Sequence, residues 1–247
     1  MTGNYQIEEA MNSNVRRIID GQQVGGGFNY RYEKGERDDL SFAGWNFQAL
    51  KAAKAANCLE KGLQEASTKS IENLKKRAPS GFTYTNVELQ KSPAMRGVGV
   101  LCLQLFEAAW DANGKPIVEL APIWKTINEE DIKKLDWNSP PSFSMYCWYY
   151  QTYAAFQEGG ATWGSWRKKF EPMLRQHQNP EGYWIYPANG HKVGDELTEK
   201  IHATTFAILM LSVYYRFLPS TRGRDKADKN DEKLVKKEDK KEEEIKL

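Results

Sequence analysis

From Tyr5 to Asp20, apolar residues recur on one side of a helical wheel, at Ile7, Met11, Val15, Ile18 and Ile19, with Glu8, Glu9, Arg16 and Arg17 elsewhere. This pattern predicts an amphipathic helix that lays one stripe on a core and shows the rest to water. The next predicted helix, Leu40 to Cys58, is rich in Ala and Leu and apolar on more than one side, so neighbours must cover it nearly all round. The alternation continues with an amphipathic helix from Leu63 to Arg77, a more apolar one from Ala94 to Trp110, and a shorter, proline-interrupted outer element around Ile117 to Ile132. An aromatic helix from Phe143 to Phe156, a polar-faced one from Trp163 to Gln178 and an apolar one from about Thr198 to Phe217 complete the series. Four outer helices thus alternate with four inner ones that begin near residues 40, 94, 143 and 201. The expected fold is all-α, about four helical hairpins in sequence. Beyond Pro219 the composition turns to Lys, Asp and Glu. Residues 1–219 are therefore expected to form the folded domain, and residues 220–247 a charged tail too poor in apolar surface to offset the entropy of ordering.

A short frame punctuates the helices. Gly27-Phe28-Asn29-Tyr30 and Gly81-Phe82-Thr83-Tyr84 are near-identical, and Gly182-Tyr183-Trp184-Ile185-Tyr186 is the same frame one residue longer. The first two lie about 54 residues apart and the last two about 101, close to two periods, with Leu135-Asp136-Trp137 as a degraded middle copy. Each unit is then one hairpin whose apolar face only its neighbours can cover. The glycine of each copy is expected to supply a turn with positive φ, and its Phe and Tyr to fasten the loop over a hairpin end.

Composition narrows the function classes. Hydrophobic residues make up 40 % and aromatics 12 %, with eight tryptophans, enough for a substantial core. A net charge of +2, with no basic stripe carrying exposed aromatics, argues against nucleic acid as a partner. Cys58, Cys102 and Cys147 are distant from one another in apolar helical stretches, without a C-x-x-C pair, and read as buried reduced thiols. No window approaches eighteen uninterrupted apolar residues, so no membrane span is expected, and the first residues lack the basic-then-apolar pattern of an export signal. The chain is expected to be soluble and cytoplasmic.

The alternating helices, the Gly-aromatic loops and Gln178-Asn179-Pro180-Glu181-Gly182-Tyr183-Trp184 together resemble the α/α-toroid proteins of the squalene cyclase and prenyltransferase repeat group, whose recurring element is Gln, a few residues, then Gly-x-Trp. The resemblance is closer still to uncharacterised bacterial prenyltransferase/squalene oxidase repeat-containing proteins. It is carried by the string Asp39 to Ala53, by Trp148 to Tyr150 followed by Gly159 to Trp163, and by Val213 to Pro219, and it spans about residues 15 to 219. It implies inner helices around an aromatic-lined cavity. Complete toroids of this group have five to seven hairpins, so about four imply an incomplete ring with uncovered ends, closed by self-association or by further chain.

Candidate chemistry follows from the resemblance. Squalene-type cyclases protonate an alkene with an Asp of a D-x-D-D-T-A element at the start of an inner helix, and Glu36-Arg37-Asp38-Asp39-Leu40-Ser41 stands in a comparable place. By that alignment Asp38 is the proton donor and Asp39 its partner, the pair raising one pKa by mutual repulsion. The alternative is an N-cap for the helix, with a salt bridge to Arg37. On the aromatic helix Tyr146, Tyr149, Tyr150 and Tyr153 fall at i, i+3, i+4 and i+7, a face suited to a carbocation, a sugar, a peptide, or packing. Trp45 and His202 complete the candidate lining. Related prenyltransferases bind zinc through Asp, Cys and His, but no Asp-x-Cys string accompanies Cys102 and His202, and His177 and His191 lack ligand spacing, so no metal or cofactor is expected. The resemblance implies a terpenoid-cyclase-like protein that binds an apolar, isoprenoid-type ligand, with acid-initiated cyclase activity at Asp38 and Asp39. The alternative is a non-catalytic scaffold for a protein or glycan partner.

Overall fold

The structure, a computed structural model, describes residues 5–87, 91–188 and 193–215. Among the described residues it is all-α, with helices α1 (Tyr5–Gly21), α2 (Leu40–Ala55), α3 (Leu63–Arg77), α4 (Pro93–Leu105), α5 (Ala121–Thr126), α6 (Ser144–Glu158), α7 (Gly160–Gln176) and α8 (Glu196–Leu211). The charged stretch 220–247, the predicted end of the last helix beyond Tyr215, and His191 lie outside the described residues.

The helices depart from their predicted spans where backbone chemistry stops them. Cys58 was expected to end α2, but Asn57 turns left-handed (φ 56) and the Cys58 amide bonds Ala53 O at 2.9 Å. α4 stops short of Trp110 in the same way: Glu107 has φ 60 and the Ala108 amide reaches Leu103 O at 2.9 Å. Both are Schellman closures, one period apart. The predicted outer element around Ile117 to Ile132 is the short α5 running into a π turn, Ile127–Asp131. Asp39 is the N-cap residue of α2, but its side chain makes no capping bond, because the carboxylate turns to Arg37 at 3.3 Å.

Interhelical packing sets the order. α4 lies between α2 and α6, and α6 between α4 and α8, giving the row α2–α4–α6–α8. α1 and α3 pack on α2, α3 also on α4, and α7 on α6. Apolar residues on every side of α4 are thereby buried from Ala94 to Leu105. Two glycines allow that closeness: a Cβ on Gly97 would press on Tyr150 and the α6 backbone, and one on Gly99 would strike the Phe82 ring. Cys102 and Cys147 are buried free thiols, as expected, whereas Cys58 is free but only half-buried, just past the end of α2.

Candidate functional site

The repeated frame joins neighbouring units. Phe28 and Phe82 are fully buried, each contributing roughly 1.5–3 kcal/mol of apolar burial. Between the first two loops, the Leu40 amide bonds Tyr84 O at 2.8 Å, and Asp39 pairs with Thr85 in an antiparallel bridge. Gly81 and Gly182 have the expected positive φ (83 and 93), but Gly27 is absent from the positive-φ residues. Gly27 is needed for room instead, since a Cβ there would collide with the Asp38 side chain. In the third copy Trp184 takes the buried aromatic place and donates from Nε1 to Leu174 O at 2.8 Å.

Asp38 lies at the centre of this seam. Its carboxylate is buried, ion-paired with the buried guanidinium of Arg77, and accepts from Asn73 Nδ2 at 2.9 Å. Arg77 in turn donates to Thr83 O at 2.6 Å, tying Asp38 to the second frame. Asp38 and Asp39 are therefore each held by an arginine, in the loop-to-loop seam.

The other candidates do come together. Trp45 stacks on Tyr149 at 6.4 Å between ring centroids and meets Tyr150 edge-on at 5.7 Å. Tyr149 touches Tyr153 at 4.9 Å and Phe206 of α8 at 5.1 Å, and Phe206 meets His202 at 4.7 Å. Phe206 is the link that pattern alone did not single out. Most of this cluster is packing. Tyr149, Tyr150 and Tyr153 are buried, whereas Trp45 is 46 % exposed. Two of the buried hydroxyls find partners within the protein: Gln48 Nε2 donates to the Tyr150 hydroxyl at 3.3 Å, and the Tyr153 hydroxyl donates to Leu209 O at 3.0 Å. His202 is half-buried, burial lowers its pKa, and Nδ1 lies 2.5 Å from the Tyr186 hydroxyl.

An open cleft lies elsewhere, at the starts of α2, α4 and α6, with a volume of about 680 Å³. Tyr30 and Tyr84, the last residues of the two near-identical frames, line it together with Ser41 of α2 and Tyr146 of α6. The Tyr30 hydroxyl lies 2.9 Å from Ser41 Oγ and 3.3 Å from the Tyr84 hydroxyl. The segment leading into α4 gives Lys91 and Ser92, the first turn of α4 gives Pro93 and Met95, and the segment leading into α6 gives Pro141, Ser142 and Phe143. Burial pushes the Tyr84 and Tyr146 phenols up, so both remain neutral hydroxyls at neutral pH. Among the described residues the cleft has aromatic and apolar walls, a knot of hydroxyls and one cation, Lys91, with no carboxylate or imidazole in its lining. Among the described residues no group of His, Cys, Asp and Glu is placed to hold a metal.

Of the predicted lining, only Tyr146 reaches this cleft. Phe and Tyr of each frame were both read as fasteners; Phe28 and Phe82 are the buried anchors, and Tyr30 and Tyr84, joined through their hydroxyls, also face the cleft. The signal was the tyrosine itself: a purely apolar clamp has no use for a hydroxyl. Comparison of the chain with protein-family models, with curated proteins and with solved structures finds no match.

Proposed function

We propose that the chain is an incomplete α/α toroid of the squalene cyclase and prenyltransferase repeat type, which binds an apolar, isoprenoid-type ligand in the cleft at the starts of α2, α4 and α6. The convergence of Tyr30, Tyr84 and Tyr146 on Ser41, in one cleft with the apolar side chains of Met95, Pro93 and Phe143, carries this reading. A volume of about 680 Å³ suits a small ligand, with its chain against the apolar wall and its polar end at the hydroxyls and Lys91. The row α2–α4–α6–α8 with other helices outside it supports the toroid reading. The function is binding rather than acid-initiated cyclisation, because Asp38 and Asp39 are engaged by Arg77 and Arg37 and neither lines the cleft.

Calorimetric titration with farnesol tests it. Saturable binding with a negative heat-capacity change is expected, weakened about tenfold by Tyr84→Phe, which removes one hydroxyl from the knot, and unchanged by Asp39→Asn. No saturable heat with any isoprenoid alcohol, or full affinity in Tyr84→Phe, counts against the reading. Incubation with squalene is expected to yield no cyclised product.

One observation favours a second role, as a scaffold for a protein partner or a second copy. Leu197, Ile201 and Ile208 are exposed, and their spacing puts them on one side of α8, the last helix of the row. An array with an open end must cover such a face.

A further inference from the structure

Lys91 enters the cleft from the segment before α4, and two contacts fix its place there. Its backbone pairs with Thr83 in an antiparallel bridge, beside Tyr84 of the second frame. Its aliphatic stem lies over Gly81, where a Cβ would stand 3.1 Å from Cδ and 3.4 Å from Cε. Gly81 thus makes room for the lysine as well as supplying the turn. Among the described residues Lys91 forms no salt bridge, and no carboxylate lines the cleft with it. Asp39, at the N-cap of α2, is already paired with Arg37 at 3.3 Å. The helix starts add charge of the same sign as the lysine. α2, α4 and α6 all begin at the cleft, and neither Asp39 nor Ser92 gives the first-turn amides of its helix a side-chain capping bond. The hydroxyls of Tyr30, Tyr84 and Ser41 are donors that can turn toward an oxyanion. A positive charge without its counterpart, set among donors and an apolar wall, fits an anionic head on an apolar chain.

We infer that the cleft takes a monocarboxylic acid, its carboxylate held by Lys91 and the hydroxyls of Tyr30, Ser41 and Tyr84, and its chain lying along Pro93, Ala94 and Met95. This rests on the reading of the cleft as an isoprenoid site and adds the chemistry of the head group. One lysine balances one negative charge. An alcohol leaves that lysine without a counter-ion, and a diphosphate brings more charge than the cleft neutralises.

Titration with farnesoic acid, farnesol and farnesyl diphosphate at neutral pH, where the acid is ionised, tests it in the wild-type chain, Lys91→Gln and Lys91→Arg. The wild-type chain is expected to bind the acid about fivefold more tightly than the alcohol, a modest margin because Lys91 is exposed, and to bind the diphosphate no better than the acid. Raising salt from about 0.02 M to about 0.5 M is expected to narrow the margin. Lys91→Gln is expected to abolish it with affinity for the alcohol unchanged, and Lys91→Arg to keep it. Equal affinity of the wild-type chain for acid and alcohol overturns the inference while the cleft reading stands. A margin that survives in Lys91→Gln overturns it as well, and so does a diphosphate that binds more tightly than the acid. If the wild-type chain binds neither acid nor alcohol, the cleft reading fails and this inference fails with it.

Discussion

Asp38 and Arg77 join the first two repeat units, and breaking such a buried pair leaves one charge without its partner. Arg77→Met is expected to cost about 3–5 kcal/mol, read as a lower denaturation midpoint at unchanged slope. A loss below about 1 kcal/mol would mean the pair behaves like an exposed one. Gly99 gives a second residue-scale outcome. Its added methyl would strike Phe82, so Gly99→Ala is expected to destabilise by about 1–3 kcal/mol, with Phe82→Leu in the same chain recovering part of the loss. At this scale sequence was a partial guide. The buried thiols Cys102 and Cys147 and the Phe of the first two frames were legible from apolar context. The partner of Asp38 was not, because Arg77 lies 39 positions away on another element. Gly27 was assigned to φ rather than to room, since a sequence does not show which side chain crosses a glycine.

Among the elements, α1 and α3 appear almost as their polarity pattern predicts, because one buried stripe and one wet face leave a clear period. α2 and α4 were recognised as extensively buried helices but drawn too long, since Ala and Leu do not mark a helix end and the closing residues Asn57 and Glu107 act through backbone geometry. α8 begins at a genuine cap: Asp195 Oδ1 accepts from the Thr198 amide at 2.8 Å, and the Thr198 side chain, with this amide, lowers the carboxyl pKa. Further along α8, burial lowers the His202 pKa, so the unfolded chain takes up a proton more readily than the folded one. The stability this ring contributes is present above the unfolded value, about 6.5, and is lost as pH falls through it toward the folded value. The fall in Tm between about pH 7 and pH 5 is expected to be smaller in His202→Gln than in wild type. An equal fall in both would remove His202 as its source.

For the whole molecule, the row α2–α4–α6–α8 explains why some aromatic residues are structural and others open. Side chains of α2, α6 and α8 pack against one another, so the stripe of phenols predicted as a lining became mostly packing, while the loop ends kept a cleft. Periodicity could show that the four tyrosines share a face but not that neighbouring helices close over it. The uncovered side of α8 carries a prediction at this scale. Wild-type chain is expected to sediment faster as concentration rises and Ile201→Glu as a monomer throughout, whereas identical behaviour of the two would leave self-association without support. Ligand is expected to bind at the loop ends rather than against the packed aromatic cluster. A crystal structure of the chain soaked with farnesol is expected to show density between Tyr30, Tyr84, Tyr146 and Phe143, whereas density lodged against Trp45 and Tyr149 would overturn the proposed site.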